Sequence, residues 1–240
     1  MLTKKTFGLV GKNIDYSFSR SYFSKKFKKL QLPYCEYVNF DLKSIEEISK
    51  INLKGVHGLN VTIPYKTEII KFLYKIDSEA EKIGAVNTVK ISKKGLIGFN
   101  TDYIGFLNSL PKKKFKRALI FGTGGASKAV QHALKKINIQ FEIVSRKNDK
   151  KYISYSDLYD KISGFDLIIN TTPVGTYPNI NTKLEIPYDL IDSSYTCFDL
   201  IYNPIKTMFL IESEKKGAHI INGLPMLKFQ AEASWDIWNS

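Results

Sequence analysis

The sequence is poor in cysteine, in histidine and in long apolar runs, and each scarcity excludes a class of protein. Its two cysteines, Cys35 and Cys197, lie far apart without a paired metal-ligand spacing, so we expect both to be reduced and buried. The three histidines are scattered along the chain, and we expect no metal site. No apolar run approaches the roughly 18 residues that span a bilayer, and the first residues lack the apolar stretch of a signal peptide. We therefore expect a cytoplasmic protein that does not enter a membrane.

Arginine is also scarce, although the chain is strongly basic. The 36 basic and 23 acidic residues leave a net charge of +13, which would suit an anionic partner such as a nucleic acid. Proteins that read nucleic acids use the planar fork of arginine on guanines and phosphates. The excess of lysine instead indicates a solvated surface, and we expect no nucleic-acid partner. The three arginines of the chain are Arg20, Arg117 and Arg146.

The hydrophobic pattern predicts an α/β fold with two domains. Strands and helices alternate over residues 1–101 and end in a hairpin of Val86–Ile91 and Leu96–Phe99, which predicts a mostly parallel sheet. A second domain is expected over 102–223, and a final helix within 224–240 is expected to complete the first domain. In a chain of this length no disulfide or metal is needed to stabilise the core.

Two helices of the first domain are predicted from the spacing of apolar residues. Phe23, Phe27 and Leu30 share one face of the first helix. A second helix is predicted to start at Lys66 and to run as far as Ile76.

A glycine-rich turn opens the second domain. The apolar strand Ala118–Phe121 leads directly into Gly122, Thr123, Gly124, Gly125 and Ala126, and a helix with a clear apolar stripe follows. This order of strand, glycine turn and helix is typical of a dinucleotide site, where the helix N-terminus receives the pyrophosphate. The usual third glycine is replaced by Ser127, so the fingerprint is a variant.

The end of the next strand favours NADP over NAD. An acid at this position would accept the ribose hydroxyls of NAD, whereas a base would receive the 2′-phosphate of NADP. Glu142 lies too early and Asp149 slightly too late to take the role of the acid. The predicted contacts to the 2′-phosphate are Ser145, Arg146, Lys147 and Lys150.

Four polar clusters border predicted strand ends in the first domain. They are Ser17–Ser19, Asn60–Lys66, Gly84–Thr88 and Asn100–Asp102. Ligands of parallel sheets bind beyond the carboxyl ends of the strands, so the clusters are expected to converge on one cleft. Taken singly, each cluster would be explained as turn and capping residues.

Seven motifs, in this order, closely resemble the shikimate dehydrogenase family. They are NVTIPYK, IGAVNT, GFNTDYIGF, GTGGASKAV, INTTPVGT, FDLIYNP and NGLPMLKFQAEASW. The resemblance implies NADPH-dependent reduction of 3-dehydroshikimate to shikimate, a step of chorismate and aromatic amino acid biosynthesis. It also implies a substrate domain, a Rossmann-type NADP-binding domain and an active cleft that separates them.

The resemblance also assigns roles to individual residues. Ser17 and Ser19 match the serines that hold the substrate carboxylate, and Lys66 matches the catalytic lysine. The other residues implied to contact the substrate are Thr62, Asn87, Asp102, Tyr202 and Gln230. The residues implied to contact the cofactor are Gly122 to Ala126, the segment from Ser145 to Lys150, Leu200 and Gly223.

The sequence departs from the family pattern at four places. Arg20 replaces the usual proline, and it either adds positive charge near the substrate carboxylate or points to solvent. Tyr16 stands where histidine is frequent, Thr176 where methionine is common, and Ser145 begins a segment that usually starts with asparagine. None of these changes removes a catalytic group.

Lys66 and Asp102 are the expected catalytic pair. Reduction of a ketone places negative charge on oxygen, and a lysine ammonium can donate a proton or stabilise that oxygen. Asp102 is expected to orient Lys66 and a substrate hydroxyl, or to share the proton. Two alternatives stay open: a quinate/shikimate dehydrogenase with relaxed substrate or NAD use, and a non-catalytic NADP-binding regulator. A monomer or homodimer is expected.

Overall fold

The computed structural model describes residues 3–15, 17–147 and 149–240, and it divides the chain into two units. The first unit holds the described residues up to Thr101 together with Ala231–Ser240, and the second holds Asp102–Gln230. Each unit is built on one β-sheet. The α/β class predicted from the sequence is confirmed, while the roles of the units as substrate and cofactor domains stay predictions.

The first unit contains a six-stranded mixed sheet of order β2-β1-β3-β5-β6-β4. Three of its strand pairs are parallel, and the pairs β3–β5 and β5–β6 are antiparallel. The predicted hairpin is present, and its turn closes with Gly95 at φ +133, a conformation that favours glycine. The strands are β1 Lys5–Gly11, β2 Cys35–Asp41, β3 Val56–Val61, β4 Lys75–Ile76, β5 Thr88–Ser92 and β6 Gly95–Phe99.

The helices of the first unit are short, and two expectations are corrected. The helix predicted from Lys66 to Ile76 is only a 3₁₀ helix over Glu68–Phe72, because β4 pairs with β6 and tertiary pairing overrides the periodicity. Leu30 is exposed, since the first helix ends one residue earlier. The helices are α1 Phe18–Lys29, a 3₁₀ helix over Ile45–Lys50, and α2 Ser78–Ile83.

Aromatic side chains join α1 and the end of the last helix to the first sheet. Phe23 stacks on Tyr37 with ring centroids 4.6 Å apart, and Trp238 stacks on Phe7 at 5.0 Å. Gly58 of β3 lies under the Trp238 ring, where a Cβ would be 2.3 Å from ring atoms. Glycine is therefore required at this close approach, and the end of the last helix packs in the core of the first unit.

The second unit contains a five-stranded sheet of order β11-β10-β9-β7-β8, in which every pair is parallel. Alternate residues of β7 face two different cores: Leu119 and Phe121 pack in one, and Ala118 and Ile120 in the other. Burial of both faces explains why the strand is continuously apolar. The strands are β7 Arg117–Phe121, β8 Gln140–Val144, β9 Leu167–Asn170, β10 Thr196–Asp199 and β11 His219–Ile221.

The helices of the second unit follow the expected alternation with strands. The last of them, α7, continues past Gln230 into the residues that belong to the first unit. No helix in the described part of the chain is long and apolar enough to cross a membrane. The helices are α3 Asp102–Ser109, α4 Gly125–Lys136, α5 Leu158–Lys161, α6 Met208–Lys215 and α7 Leu224–Asn239.

Both cysteines carry free thiols, as expected. Cys197 is buried in β10, but Cys35 at the start of β2 is only half-buried, which corrects the expectation that both are buried. Cys35 belongs to the edge strand β2, which has a neighbouring strand, β1, on one side only.

Candidate active site

Gly122 makes the turn that joins β7 to α4. Its φ of +107 lies in the region that favours glycine, and a Cβ there would be 2.8 Å from Thr171 Oγ1. Both the backbone conformation and the neighbouring loop therefore require glycine at this position.

Gly124 differs from Gly122, because nothing in the chain requires it to lack a side chain. It is the N-cap of α4 with an ordinary φ of −79, and a Cβ there would meet no heavy atom within 4 Å. The first turn of α4 contains no acidic residue. The helix N-terminus thus offers N–H groups and partial positive charge beside open space, which fits a pyrophosphate that approaches the backbone closely.

Ser127 replaces the third glycine of the usual fingerprint, and the structure shows how it is accommodated. Its hydroxyl donates to the Gly122 carbonyl over 2.7 Å and accepts from Gln131 Nε2 at 3.1 Å. The side chain is fully buried. The serine therefore closes the glycine turn from inside, where the third glycine of the usual dinucleotide fingerprint would offer no side chain.

Basic side chains follow β8 at the predicted 2′-phosphate position. The Ser145 hydroxyl accepts from the Lys147 backbone N–H at 3.1 Å and shapes the turn, and the side chains of Arg146, Lys147 and Lys150 are exposed. Burial raises the pKa of the Tyr155 hydroxyl, and the nearby Arg146 partly opposes that shift. Asn148, within the predicted segment, lies outside the described residues.

The two acids that could have competed for a ribose are paired elsewhere. Glu142 forms an ion pair with Arg117 on the neighbouring strand. Asp149 accepts from both the backbone N–H and the ammonium of Lys151, which lowers the pKa of its carboxyl. The end of β8 therefore presents positive charge.

Leu200 and Gly223 contact each other just after the strands β10 and β11 of the five-stranded sheet. Gly223 donates its N–H to the Ile201 carbonyl at 2.9 Å, and a Cβ on Gly223 would lie 1.9 Å from the Leu200 carbonyl oxygen. Glycine is therefore required where the chain enters α7. Tyr202 follows two residues after Leu200 and is half-buried.

In the first unit, the topology places five predicted residues at one edge of the mixed sheet. β1 and β3 are parallel and end at this edge, while β5 is antiparallel to β3 and begins there. The residues that follow β1, follow β3 and precede β5 therefore lie on the same side. They are Ser17, Ser19, Thr62, Lys66 and Asn87.

Ser17 and Ser19 stand at the N-terminus of α1. Ser17 is the N-cap, and its hydroxyl accepts from the Ser19 backbone N–H at 3.3 Å. The first turn of α1 contains no acidic residue, so hydroxyls and positive helix dipole together suit a carboxylate. Burial raises the pKa of the Tyr37 hydroxyl, with a smaller opposing effect of its hydrogen bond with Ser19.

Lys66 is held by its backbone neighbours in a turn after β3. Its carbonyl accepts from the Val86 N–H at 2.7 Å, and the preceding Tyr65 is buried with its hydroxyl on the Leu42 carbonyl at 2.7 Å. The carbonyl of Thr62, at the start of the turn, accepts from the Tyr65 N–H at 2.9 Å. Lys66 is half-buried, and its backbone is fixed by these hydrogen bonds.

Asn87 lies in a buried polar network that the sequence did not reveal as a whole. Its side-chain oxygen accepts from the Thr101 N–H at 2.6 Å, and its amide nitrogen donates to Thr101 Oγ1 at 3.0 Å. Asn60 extends the network: it accepts from the Tyr37 hydroxyl at 2.8 Å and donates to Ser234 Oγ at 3.0 Å. The Ser234 hydroxyl lies 2.7 Å from Thr88 Oγ1.

Four members of this network already belonged to the polar clusters: Asn60, Asn87, Thr88 and Thr101. No sequence signal identified the other two, Tyr37 and Ser234, because their partners are 23 and 174 residues away.

Asp102 and Gln230 belong to the second unit, where α3 and α7 are in close contact. Asp102 begins α3 and is buried, and Gln230 of α7 is also buried. A Cβ on Gly105, one turn after Asp102, would lie 2.6 Å from the Met226 carbonyl oxygen and 3.0 Å from Gln230 Cβ. The roles of Asp102, Tyr202 and Gln230 toward a substrate stay predictions.

The departures from the family pattern have structural settings of their own. Arg20 is exposed on α1 and lines a surface cavity of about 540 Å³ together with Ser24, Lys28 and Cys35. The Thr176 hydroxyl donates to the Asn203 carbonyl at 3.3 Å. Tyr16 lies outside the described residues. Among the residues that the structure describes, no group of three or more His, Cys, Asp or Glu could hold a metal ion.

Comparison with known proteins places the whole chain in one family. Residues 9–89 match the family model of the shikimate dehydrogenase substrate binding domain. A shikimate dehydrogenase (NADP(+)) of Methanococcus vannielii is 39% identical over 265 residues, which cover 99% of this chain and 93% of that protein. The chain therefore belongs to the shikimate dehydrogenase family.

Solved structures agree with the sequence comparison. A shikimate dehydrogenase in complex with NADP+ has a TM-score of 0.86 and 35% identity, covering 98% of this chain and 90% of that chain. A shikimate 5-dehydrogenase of Thermus thermophilus, in complex with NADP(H) and shikimate, has a TM-score of 0.85 and 28% identity, covering 98% and 93%. The predicted family and the predicted fold are confirmed.

Proposed function

We propose that this protein is an NADP-dependent shikimate dehydrogenase, which reduces 3-dehydroshikimate to shikimate in the pathway to chorismate and the aromatic amino acids. The observation that carries the proposal is identity of about two residues in five to an NADP(+) shikimate dehydrogenase over nearly the whole chain. The motif residues Lys66, Asn87 and Asp102 are all present within that match.

The second unit fits the cofactor. The N-terminus of α4 and the open space at Gly124 suit the pyrophosphate, and the exposed bases after β8 suit a 2′-phosphate. When bound, NADPH supplies the hydride that the ketone carbon receives. The residues of this chain then have to bind and orient the substrate and the cofactor, and to transfer one proton.

The first unit fits a small carboxylic acid. Ser17 and Ser19 offer hydroxyls at the start of α1, where the helix dipole favours a negative group. Thr62 and Asn87 lie at the same sheet edge and are proposed to hold ring hydroxyls. Lys66, whose backbone is fixed by Val86, is proposed to donate its proton to the oxygen that becomes the alcohol. Asp102 is proposed to accept from a substrate hydroxyl.

The decisive experiment mixes the purified protein with NADPH and 3-dehydroshikimate and follows the absorbance of the reduced nicotinamide. Loss of absorbance that depends on both compounds is expected, and its absence would reject the proposal. Parallel reactions with NADH, and with quinate plus NADP+ or NAD+, measure how selective the enzyme is for its cofactor and for its substrate. Sedimentation of the same preparation would distinguish the expected monomer from the homodimer.

A further inference from the structure

A buried carboxylate, Asp199, lies at the end of β10 and accepts three hydrogen bonds. Its Oδ1 accepts from Asn170 Nδ2 at 3.1 Å and from the Ile201 N–H at 2.9 Å, while Oδ2 accepts from Thr207 Oγ1 at 2.6 Å. All three donors are uncharged. Because a buried carboxylate costs free energy even when it is hydrogen-bonded, packing alone does not explain an acid here.

On one side, Asp199 orients the loop that follows β9. The Asn170 amide nitrogen points to the carboxylate, so its oxygen faces the loop and accepts from the Thr172 N–H at 3.0 Å and the Thr172 hydroxyl at 2.7 Å. The same amide nitrogen also reaches the Val174 carbonyl at 3.3 Å. The carboxylate thus decides which way the Asn170 side chain is turned.

On the other side, Asp199 closes the loop that follows β10. Thr207 is the N-cap of α6, and the hydrogen bond from Thr207 to Asp199 joins the two ends of the loop. That loop carries Leu200 and Tyr202, which are proposed to contact the cofactor and the substrate. Both ends of the segment are therefore held by one carboxylate.

Further contacts join these loops into one group, which we call the loop cluster (residues 171–177, 200–207 and 222–223). The Tyr177 N–H donates to the Asn203 carbonyl at 3.3 Å, and Asn222 Nδ2 donates to the Ile205 carbonyl at 3.0 Å. Gly223 packs directly on Leu200. Asp199 is the buried group at which the loops after β9 and β10 meet.

We infer that Asp199 is a positioning residue for the reaction, and that it holds Leu200 and Tyr202 in place through the loop cluster. The inference rests on the proposed function, because the family resemblance that supports that function also implies the roles of Leu200 and Tyr202. Asp199 is fully buried, so its effect on the reaction passes through the loops that it holds.

Three variants test the assignment by steady-state kinetics with shikimate and NADP+. Asp199→Ala removes the shared acceptor, and we expect the KM for shikimate to rise about tenfold or more, since small displacements of binding groups are costly. Thr207→Val removes one donor only and should change KM in the same direction, by a smaller factor. Asp199→Asn keeps an oxygen for the two N–H donors and offers an N–H to Thr207, so it should restore most of the wild-type KM.

Two further measurements separate positioning from general destabilisation. The Kd of 2′,5′-ADP, which occupies only the adenosine end of the cofactor site near Arg146, should stay at the wild-type value in every variant. Ser213→Ala is the matched control, because Ser213 is a buried hydroxyl of the same helix α6 that donates to the Phe209 carbonyl at 2.8 Å. It should lower Tm and leave the KM for shikimate unchanged.

The outcomes decide between the alternatives. A raised KM in Asp199→Ala and Thr207→Val, with the Kd of 2′,5′-ADP unchanged and recovery in Asp199→Asn, supports the inference. An unchanged KM with a kcat that falls only with the folded fraction overturns it. If Asp199→Ala does not fold, Thr207→Val and Asp199→Asn carry the same comparison. Wild-type protein that fails to oxidise shikimate rejects the proposed function, and this inference with it, whereas an active wild type with unaltered variants rejects this inference alone.

Discussion

The Thr101 backbone N–H donates to the side-chain oxygen of Asn87 over 2.6 Å, and both residues are buried. The Thr101 hydroxyl accepts from the Asn87 amide nitrogen at 3.0 Å. The backbone and the side chain of Thr101 therefore bind the oxygen and the nitrogen of the Asn87 side chain. These two hydrogen bonds fix the side chain of Asn87, which is predicted to contact the substrate. They also predict what the loss of one hydroxyl would do.

Replacement of Thr101 by valine keeps the shape of the side chain and removes its hydroxyl. Asn87 then loses one acceptor inside the core, and we expect the free energy of unfolding to fall by about 1–3 kcal/mol. Urea unfolding measures this change. Thr67→Val, on an exposed threonine of the same unit, is the control and should stay near the wild type. Equal stabilities of the two variants would contradict the network described for Asn87.

Removal of the Lys66 amine should affect turnover far more than cofactor affinity. If Lys66 donates the proton, Lys66→Ala should lower kcat by about 100-fold or more, the usual contribution of a general acid. The Kd of NADPH, measured by nicotinamide fluorescence, should be nearly unchanged. Lys71→Ala is the matched control, because Lys71 is an exposed lysine nearby that pairs with Glu46 at 2.7 Å. Near-normal turnover of Lys66→Ala would show that the catalytic assignment is wrong.

Arg146 should distinguish the two nicotinamide cofactors. A guanidinium on the 2′-phosphate forms charge-assisted hydrogen bonds worth about 1.5–3 kcal/mol, so Arg146→Ala should weaken NADPH binding by about tenfold or more. NADH lacks that phosphate, and its affinity should hardly change. Lys135→Ala, on an exposed residue in the last turn of α4, should affect neither cofactor. Equal losses for NADPH and NADH would argue against a contact with the 2′-phosphate.

The two glycines of the turn should separate folding from cofactor binding. Gly122→Ala meets both a positive φ and Thr171, and we expect a loss of at least about 2 kcal/mol of stability. Gly124→Ala places its methyl group in open space, so stability should change by less than about 1 kcal/mol. NADPH affinity of Gly124→Ala should nevertheless fall, by about tenfold, because the second glycine admits the pyrophosphate.

Thermal unfolding and fluorescence titration of the same two proteins measure both effects. If Gly124→Ala binds NADPH as tightly as the wild type, the pyrophosphate does not bind at this turn.

Asp199 should make the stability of the protein depend on pH in an unusual direction. Burial raises the pKa of its carboxyl to about 6, although the hydrogen bonds from Thr207, Ile201 and Asn170 oppose the shift. Since the folded chain binds this proton more tightly than the unfolded chain, the contribution of Asp199 to stability is greatest below about pH 4. It is lost as pH rises through about 6, by an amount on the order of 3 kcal/mol.

Asp199→Asn provides the reference for this measurement, because it cannot titrate. The paired carboxylates Glu36, Glu46 and Glu212 have lowered pKa values and favour folding at higher pH, so only the difference between the two proteins is informative. Nearby Cys197 has a pKa raised to about 12 by burial and stays protonated across the range. Urea unfolding at about pH 4 and about pH 7 should show the wild type losing stability relative to the variant as pH rises. A constant difference would contradict the raised pKa of Asp199.

The local sequence pattern was sufficient to predict much of the secondary structure of the second unit. An apolar strand, a glycine turn and an amphipathic helix follow one another within about 20 residues, and each depends on neighbours close in the chain. The prediction from Lys66 to Ile76 failed for the opposite reason. The apolar spacing was helical, but pairing of β4 with β6 supplied backbone partners that no local pattern contains.

In the candidate site, too, some residues were predicted from local sequence, and others were missed because their partners are distant in the chain. Clusters of polar residues that border strands included Ser17, Thr62, Lys66 and Asn87, and residues that border strands at the same end of a sheet lie on the same side of it. Tyr37 was missed because its partner Asn60 lies 23 residues away on another strand. Asp199 lies within the motif FDLIYNP, but no role was predicted for it, since its hydrogen-bond partners Asn170 and Thr207 lie 29 and 8 residues away.

From the sequence alone came the α/β class, the glycine turn, the excess of lysine and the choice of strand-end residues, since each is a property of composition or of neighbours in the chain. Tertiary structure alone decided that Gly122 must be glycine while Gly124 has space beside it, that Ser127 closes the turn, and that a carboxylate is buried at Asp199. Each of these depends on atoms brought together from distant parts of the chain, and desolvation and steric exclusion act only once those atoms are in place.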